Sequence, residues 1–273
     1  MDEISISNAQ VIALGLSGAI NLTGPFVAWA VWRKKTHAAW IPLIAGILGY
    51  LVIGTARGVA RALLLTDMQD SPWVFYIMQA VFAGVFEECG RYAVMRWGIP
   101  NHDQYRDAVS YGIGHGGLEH VILSIGSAEL YGFFVALLYR TQGMAAFAPG
   151  GAGAFLMEGL DEAGMLEVLK GVSEADALHS LFGIAGAFQL FSICMSVLVC
   201  TAVHYDPGPK WLLAAIGLHT VVDIIPALHY AGDFSVLETD ILVTLYEIVV
   251  IYLTYRVWKH YRPEHSVPAP SLS

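Results

Sequence analysis

The chain has 273 residues, of which 56% are hydrophobic and only 14% are charged, and its mean hydropathy is +0.58. This composition is typical of a polytopic membrane protein and argues against an ordinary soluble enzyme. The net charge of −9 argues against nucleic-acid binding, which requires clustered lysine and arginine. The three cysteines lie in apolar segments without a Cys-x-x-Cys spacing, so we expect neither a disulfide framework nor a thiolate zinc site.

Apolar stretches of about 20 residues, the length that crosses a bilayer as a helix, recur along the chain. They predict seven helices, at roughly 9–32, 39–65, 73–97, 108–139, 178–203, 210–230 and 238–258. We therefore expect an all-α, polytopic integral membrane protein with about seven transmembrane helices, located in a bacterial or archaeal inner membrane. In this interpretation residues 1–262 form one domain and residues 263–273 form a disordered tail.

Basic residues in short loops indicate the orientation, because they mark the cytoplasmic side. An Arg-Lys-Lys run at 33–35 follows the first segment, so we expect the N-terminus to lie outside. Arg96 and Arg106 flank a second cytoplasmic loop, and the basic residues of 256–262 place the C-terminus in the cytoplasm. Arg140, at the edge of an acidic outer loop, is the exception to this pattern.

The segment 108–139 is longer than one crossing requires. As a continuous helix it would measure about 48 Å, against a hydrocarbon core of about 30 Å. It must tilt, protrude or break near Gly126 and Ser127. Two crossings here would reverse every later loop and place the basic C-terminus outside. We therefore predict one crossing with an outer extension, formed by one helix or two.

Three clusters of polar residues lie inside apolar segments. They are Glu87, Glu88 and Arg91, then His115 and Glu119, and finally His219 and Asp223. Ionisable groups in hydrocarbon cost several kcal/mol unless they pair, bind an ion or line a wet cavity, so each cluster is a candidate functional site. With a rise of 1.5 Å per residue, all three fall roughly 10–20 Å below the cytoplasmic surface in the predicted topology. We expect them to form one site.

The second and third clusters share one spacing. His115 and Glu119, like His219 and Asp223, are four residues apart and therefore lie on one face of a helix. Two imidazoles and two or three carboxylates suit zinc with one position open for water. Zinc would polarise a carbonyl while a free glutamate acts as general base, and a glutamate with a histidine could activate water without metal. Both routes lead to peptide hydrolysis.

The first cluster offers two carboxylates for the role of base. Arg91 follows Glu87 by four residues and Glu88 by three, so it can pair with either. The spacing does not choose between them.

A second arginine pair, Arg57 and Arg61, lies in the outer half of the second segment. We expect these side chains to extend toward the interface, to pair with Asp67 or Asp70, or to contact substrate.

A different class of protein could use the same residues. In an ion-coupled or proton-relay transporter, buried carboxylates and histidines carry protons or bind a cation. Transporters often contain inverted repeats with broken helices in matching positions. The sequence shows no such repeat, which favours the hydrolase.

The three motifs also carry a resemblance. Glu-Glu-x-x-Arg at 87–91, Gly-x-Gly-His-Gly-Gly-x-Glu at 112–119 and His-x-x-x-Asp at 219–223 resemble the YhfC family of intramembrane metalloproteases, related to the PrsW proteases and the CAAX prenyl endopeptidases. The resemblance covers roughly 73–228.

The resemblance implies a role for each site residue. It implies that Glu87 is the base that activates water, supported by Glu88 and Arg91. The same resemblance assigns the binding of a metal, taken to be zinc, or of water and the oxyanion to His115, Glu119, His219 and Asp223. The expected substrate is a membrane protein or peptide within the lipid bilayer.

Two departures separate the chain from the CAAX group. Its third motif ends in Asp223, where that group commonly has Asn, and its first motif closes one residue earlier, at Arg91. We therefore do not expect prenylated substrates.

Overall fold

The computed structural model describes residues 4–68, 70–126, 129–174, 190–230, 232 and 234–261. In these ranges the chain is helical and contains no strand, so the predicted all-α class is confirmed. The α-helices are α1 (Asn8–Thr36), α2 (Trp40–Leu64), α3 (Pro72–Ala93), α4 (Tyr105–Gly126), α5 (Glu129–Gln142), α6 (Glu162–Glu174), α7 (Leu190–Cys200), α8 (Pro209–Tyr230) and α9 (Val236–Tyr261). Short π-helices extend α3 at Val94–Gly98 and α7 at Thr201–Tyr205.

The predicted segments fall on these helices, although not all of each segment is described. Residues 178–189 of the fifth segment and the predicted tail at 263–273 lie outside the described residues. By length and composition alone, α1, α2, α8 and α9 are long and apolar enough to cross a membrane. The count of seven crossings and the orientation remain predictions.

The described part of the long segment 108–139 is helical, in α4 up to Gly126 and in α5 from Glu129, and residues 127–128, where the predicted break falls, lie outside the described residues. Both helices pack along α1. Near the C-terminal end of α1, Trp32 Nε1 donates a hydrogen bond to the carbonyl oxygen of Arg106, at the start of α4, at 3.0 Å. Before the N-terminal end of α1, the carbonyl oxygen of Ile6 accepts a hydrogen bond from Arg140, at the end of α5. The chain therefore advances in one direction along α1 through both helices.

Contacts at one end of the bundle join the loops that the sequence predicts to be cytoplasmic. Tyr105 and Thr201 share a hydrogen bond of 3.0 Å between their hydroxyls, which links α4 to α7. Asp206 accepts hydrogen bonds from Tyr261 at 2.8 Å and Trp211 at 2.9 Å, and these bonds lower the pKa of its carboxyl. The first bond ties the C-terminal end of α9 to the α7–α8 connection.

We call this end the basic end, because it carries residues 33–35, Arg96, Arg106 and Lys259. The opposite end, which carries the α2–α3 connection at residues 65–71, is called the turn end.

Glycines bring the helices of the site into backbone contact. A Cβ added at Gly46 of α2 would overlap the carbonyl oxygen of Tyr111 on α4, and one at Gly114 would overlap that of Leu43 on α2. On α3, a Cβ at Gly84 would overlap the Thr220 hydroxyl of α8. Small residues at helix interfaces allow such close approach. The α2–α4 contact lies beside His115 and therefore sets its position.

We expect Gly114→Ala to destabilise the protein by about 1–3 kcal/mol, because a methyl group there must separate two backbones. The measurement is the thermal unfolding midpoint of purified protein in detergent. Gly217→Ala is the matched control, since a Cβ at that α8 position meets no atom of the described residues within 4 Å. Equal midpoints for the two variants would contradict the close-contact explanation.

Candidate active site

Helices α2, α3, α4 and α8 bring the predicted clusters together around one pair of carboxylates. Helix α3 supplies Glu87, Glu88 and Arg91, which are all buried although each carries an ionisable group. Histidines from two other helices, His115 of α4 and His219 of α8, reach these carboxylates and are also buried. Residues more than 130 positions apart in the chain thus share one site.

Glu87 is the centre of the cluster. Its Oε2 lies 3.3 Å from His115 Nε2 and 3.9 Å from His219 Nε2. Its Oε1 forms an ion pair with Arg57 of α2. Arg91 Nη2 stands 3.9 Å from Oε2, so two guanidinium groups compensate the charge of a side chain that is only 2% exposed.

Glu88 is the partner of the other nitrogen of His219, Nδ1. Its Oε1 lies 2.6 Å from His219 Nδ1 and 3.2 Å from Arg91 Nε. With Nδ1 engaged by the carboxylate, the Nε2 atom of His219 faces Glu87 and also Asp223, whose Oδ2 is 3.7 Å away. A carboxylate behind a histidine fixes the ring orientation and raises its basicity as a ligand.

Arg91 connects this cluster to α7. Its Nη1 donates to the hydroxyls of Ser196 at 2.9 Å and Ser192 at 3.0 Å. The same side chain is 1% exposed and approaches both glutamates. Buried charges are tolerated when they are paired and hydrogen-bonded, and Arg91 meets both conditions.

The remaining predicted residues, Glu119 and Asp223, lie at the edge of the cluster. Asp223 is four residues after His219 and pairs with it. Glu119 interacts electrostatically with Glu87, His219 and Asp223. The site therefore collects four carboxyl groups and two histidines against two arginines, Arg57 included.

The structure corrects the prediction for the arginine pair of α2. Arg57 pairs with Glu87 rather than with Asp67 or Asp70, and Arg61 donates to the side-chain oxygen of Gln79 at 3.0 Å. Two arginines in one apolar segment, four residues apart, were the signal that could have placed them in the site.

Aromatic side chains around the histidines were not predicted. The ring of Tyr50 stands edge-on to His115, with centroids 5.3 Å apart, and Tyr111 lies on another side of it. Phe191 stands edge-on to His219 at 5.4 Å. Nothing in the sequence distinguishes these rings from ordinary packing residues.

The chain is similar to a family of known proteins. The family model described as YhfC intramembrane metalloprotease matches residues 20–246, which include every residue of the cluster. The chain belongs to the YhfC family. A relative in that family, the uncharacterized membrane protein YhfC of Bacillus subtilis (strain 168), is 29% identical over 267 residues, which is 90% of this chain and 96% of the relative. No solved structure matches.

The YhfC family name implies a metal, so the distances between the donor atoms of the site can be compared with those around a bound metal ion. The described residues contain no ready-made group of three or more metal ligands. Ligand atoms around tetrahedral zinc lie about 3.4 Å apart. Glu87 Oε2 lies 3.3 and 3.9 Å from the two histidine Nε2 atoms, and Asp223 Oδ2 lies 3.7 Å from that of His219.

The donor set fits a divalent cation in its charge as well. Two histidine nitrogens face carboxylate oxygens, and four carboxyl groups outnumber two guanidinium groups by two charges when all are ionised. His115 Nδ1 is buried and has no hydrogen-bond partner among the described residues.

Proposed function

We propose that this YhfC-family protein is an intramembrane endopeptidase in which Glu87 activates water for attack on a peptide bond. The observation that carries the proposal is the meeting of Glu87 with His115 and His219 from two other helices, at 3.3 and 3.9 Å. A buried carboxylate beside two imidazoles can remove a proton from water and pass it on. The family description supports the same class of reaction.

Glu87 and Glu88 have different roles in this proposal. Glu88 Oε1 is engaged by His219 Nδ1 and by Arg91, and its side chain is fully buried. It orients His219 and does not meet substrate. Glu87 Oε2 approaches the Nε2 atoms of both histidines and is the base in this proposal.

The reaction is a hydrolysis in which the elements of water are divided between two products. Glu87 takes a proton from water while the water oxygen bonds to the scissile carbonyl carbon. The carbon–nitrogen bond then breaks, and the proton held by Glu87 goes to the leaving amine. Arg57, which contacts Glu87 and is 31% exposed at its side chain, is placed to bind the negative oxygen of the intermediate.

A zinc ion, when bound by His115, His219 and Asp223 with Glu119 nearby, would polarise the scissile carbonyl and activate water. We expect purified protein to contain about one zinc per chain, since structural and catalytic zinc sites take three or four such ligands. Elemental analysis of protein prepared without chelators measures this. The His115→Ala/His219→Ala double variant should lose the metal. If the wild-type protein contains no zinc, the metal-free mechanism, in which a glutamate and a histidine activate water, is the one that remains.

The activity itself is tested by hydrolysis in ¹⁸O-labelled water. Purified protein in lipid nanodiscs is incubated with a library of single-span peptides that carry a fluorophore and a quencher. We expect new peptide termini with ¹⁸O in the new carboxylate, and no cleavage by the His115→Ala/His219→Ala variant. Absence of cleavage across the library, or equal cleavage by the double variant, would contradict the proposal and favour the ion-coupled or proton-relay transporter.

A further inference from the structure

A cavity of about 460 Å³ borders the site on the side of the turn end. On α3 it is lined by residues before Glu87, including Tyr76, Gln79 and Phe82. On α8 it is lined by Asp223 and the residues after it. The cavity thus begins where the cluster ends and continues toward the α2–α3 connection.

The other side of the site is filled. The largest apolar cluster among the described residues contains Met95, in the π-helix that extends α3 beyond Arg91, and Tyr105 and Ala108 of α4, which precede His115. From α8 it contains Ala215, which precedes His219. Every one of these residues lies between the carboxylates and the basic end. Apolar side chains are thus packed between the carboxylates and the basic end.

The exposed fraction of the charged side chains increases from the two glutamates toward the cavity. Glu87 and Glu88 are 2% and 0% exposed at their side chains, whereas Arg57 and Asp223, which line the cavity, are 31% and 37% exposed. Solvent therefore approaches the cluster through Arg57 and Asp223.

The cavity wall carries a second positive charge. Arg61 lines the cavity one helical turn beyond Arg57, and its Nη1 donates to the neutral side-chain oxygen of Gln79 at 3.0 Å. Arg57 is already paired with Glu87. A neutral amide does not compensate the charge of a guanidinium. Such a guanidinium can still bind a carboxylate, through two parallel hydrogen bonds.

The geometry points to a substrate channel that opens at the turn end: water and an extended peptide reach Glu87 through this cavity, and Arg61 binds a carboxylate of that peptide. The α2 wall suits a peptide backbone, because a Cβ added at Gly54 or Gly58 meets no atom of the described residues within 4 Å. In the predicted orientation the channel faces the outside, away from the basic end. The peptide part of this inference rests on the proposed function, and the direction of access does not.

Thiol labelling in sealed membrane vesicles tests the direction of access in the full-length protein. The background is Cys89→Ser, because Cys89 is exposed while Cys194 and Cys200 are buried. Gly58→Cys reports on the cavity, Ser71→Cys on the turn end and Asn101→Cys on the basic end. The reagent is the membrane-impermeant anion methanethiosulfonate ethylsulfonate.

We expect Gly58→Cys to react from the side that labels Ser71→Cys and to be unreactive from the side that labels Asn101→Cys. Reaction from the Asn101 side, or from neither side, would overturn the channel. The labelling measures access and not cleavage, so it can succeed or fail independently of the proposed function.

Paired peptides test Arg61. The two peptides differ only by Glu or Gln at one position, and that position is moved stepwise away from the cleaved bond. At one distance the Glu peptide should have a KM lower by about tenfold, which is the strength of a charge-assisted hydrogen bond. Arg61→Gln should abolish this difference through KM, Arg61→Lys should restore part of it, and Arg96→Gln, at the basic end, should retain it.

Three outcomes contradict the role of Arg61. The first is a preference for the Glu peptide that survives Arg61→Gln, and the second is no preference in the wild type at any distance. The third is a KM for both peptides that rises with the phosphatidylglycerol content of the nanodisc in the wild type and not in Arg61→Gln. That dependence would assign Arg61 to an anionic lipid.

Discussion

Glu87→Gln should reduce peptide hydrolysis by about 10³-fold, within the range that general-base catalysis contributes. The amide keeps the size of the side chain but cannot take a proton from water. It also removes the ion pair with Arg57 and the approach of Oε2 to His115 Nε2. Cleavage of a quenched peptide measures the loss in kcat, and the unfolding midpoint shows whether the variant is folded.

Glu88→Gln is the matched comparison, because the two glutamates are adjacent and equally buried. Its amide can still accept a hydrogen bond from His219 Nδ1, which lies 2.6 Å from Glu88 Oε1, so orientation of the ring is weakened rather than abolished. We expect a smaller loss of kcat, accompanied by weaker retention of zinc. Equal losses of activity in the two variants would defeat the assignment of Glu87 as the single base.

Arg91→Ala should have the largest effect on stability, a loss of about 3–5 kcal/mol, which is typical when one partner of a buried ion pair is removed. Arg91 approaches Glu87 and Glu88 and is hydrogen-bonded to Ser192 and Ser196. Without Arg91, the carboxylates of Glu87 and Glu88 remain buried but lose one of the cations that compensate their charge. The yield of folded protein and the urea midpoint in detergent are the measurements.

Arg96→Ala is the control for this prediction, since Arg96 is exposed in the π-helix that follows α3. Its removal deletes the same side chain five positions further along and should change the urea midpoint little. Glu87→Gln combined with Arg91→Ala should recover part of the lost stability, because one of the buried carboxylates is then neutral. An Arg91→Ala midpoint close to that of Arg96→Ala would show that the arginine does not support the cluster.

The sequence alone determined the features that depend on neighbours along the chain. Apolar length predicted the helices, and the spacing of four residues placed His219 and Asp223 on one helix face, where the structure has His219 Nε2 3.7 Å from Asp223 Oδ2. The same rule predicted that Arg91 can pair with either glutamate, and the structure places it 3.9 Å from Glu87 and 3.2 Å from Glu88. The family was recognised from the three motifs, and the match over residues 20–246 confirms it. These properties are local because one helical turn fixes which residues lie together.

Only the tertiary structure decided the features that depend on how each helix is rotated and where it ends. Adjacent residues of a helix point about 100° apart, so the rotation of α3 alone sends Glu87 toward Arg57 and Glu88 toward His219. Arg57 joins the site because Gly90 of α3 packs against Ile53 of α2, a contact that no spacing within α2 can reveal. The side on which the cavity opens was decided in the same way. Packing between helices selects one rotation and one register from many that satisfy the same apolar pattern.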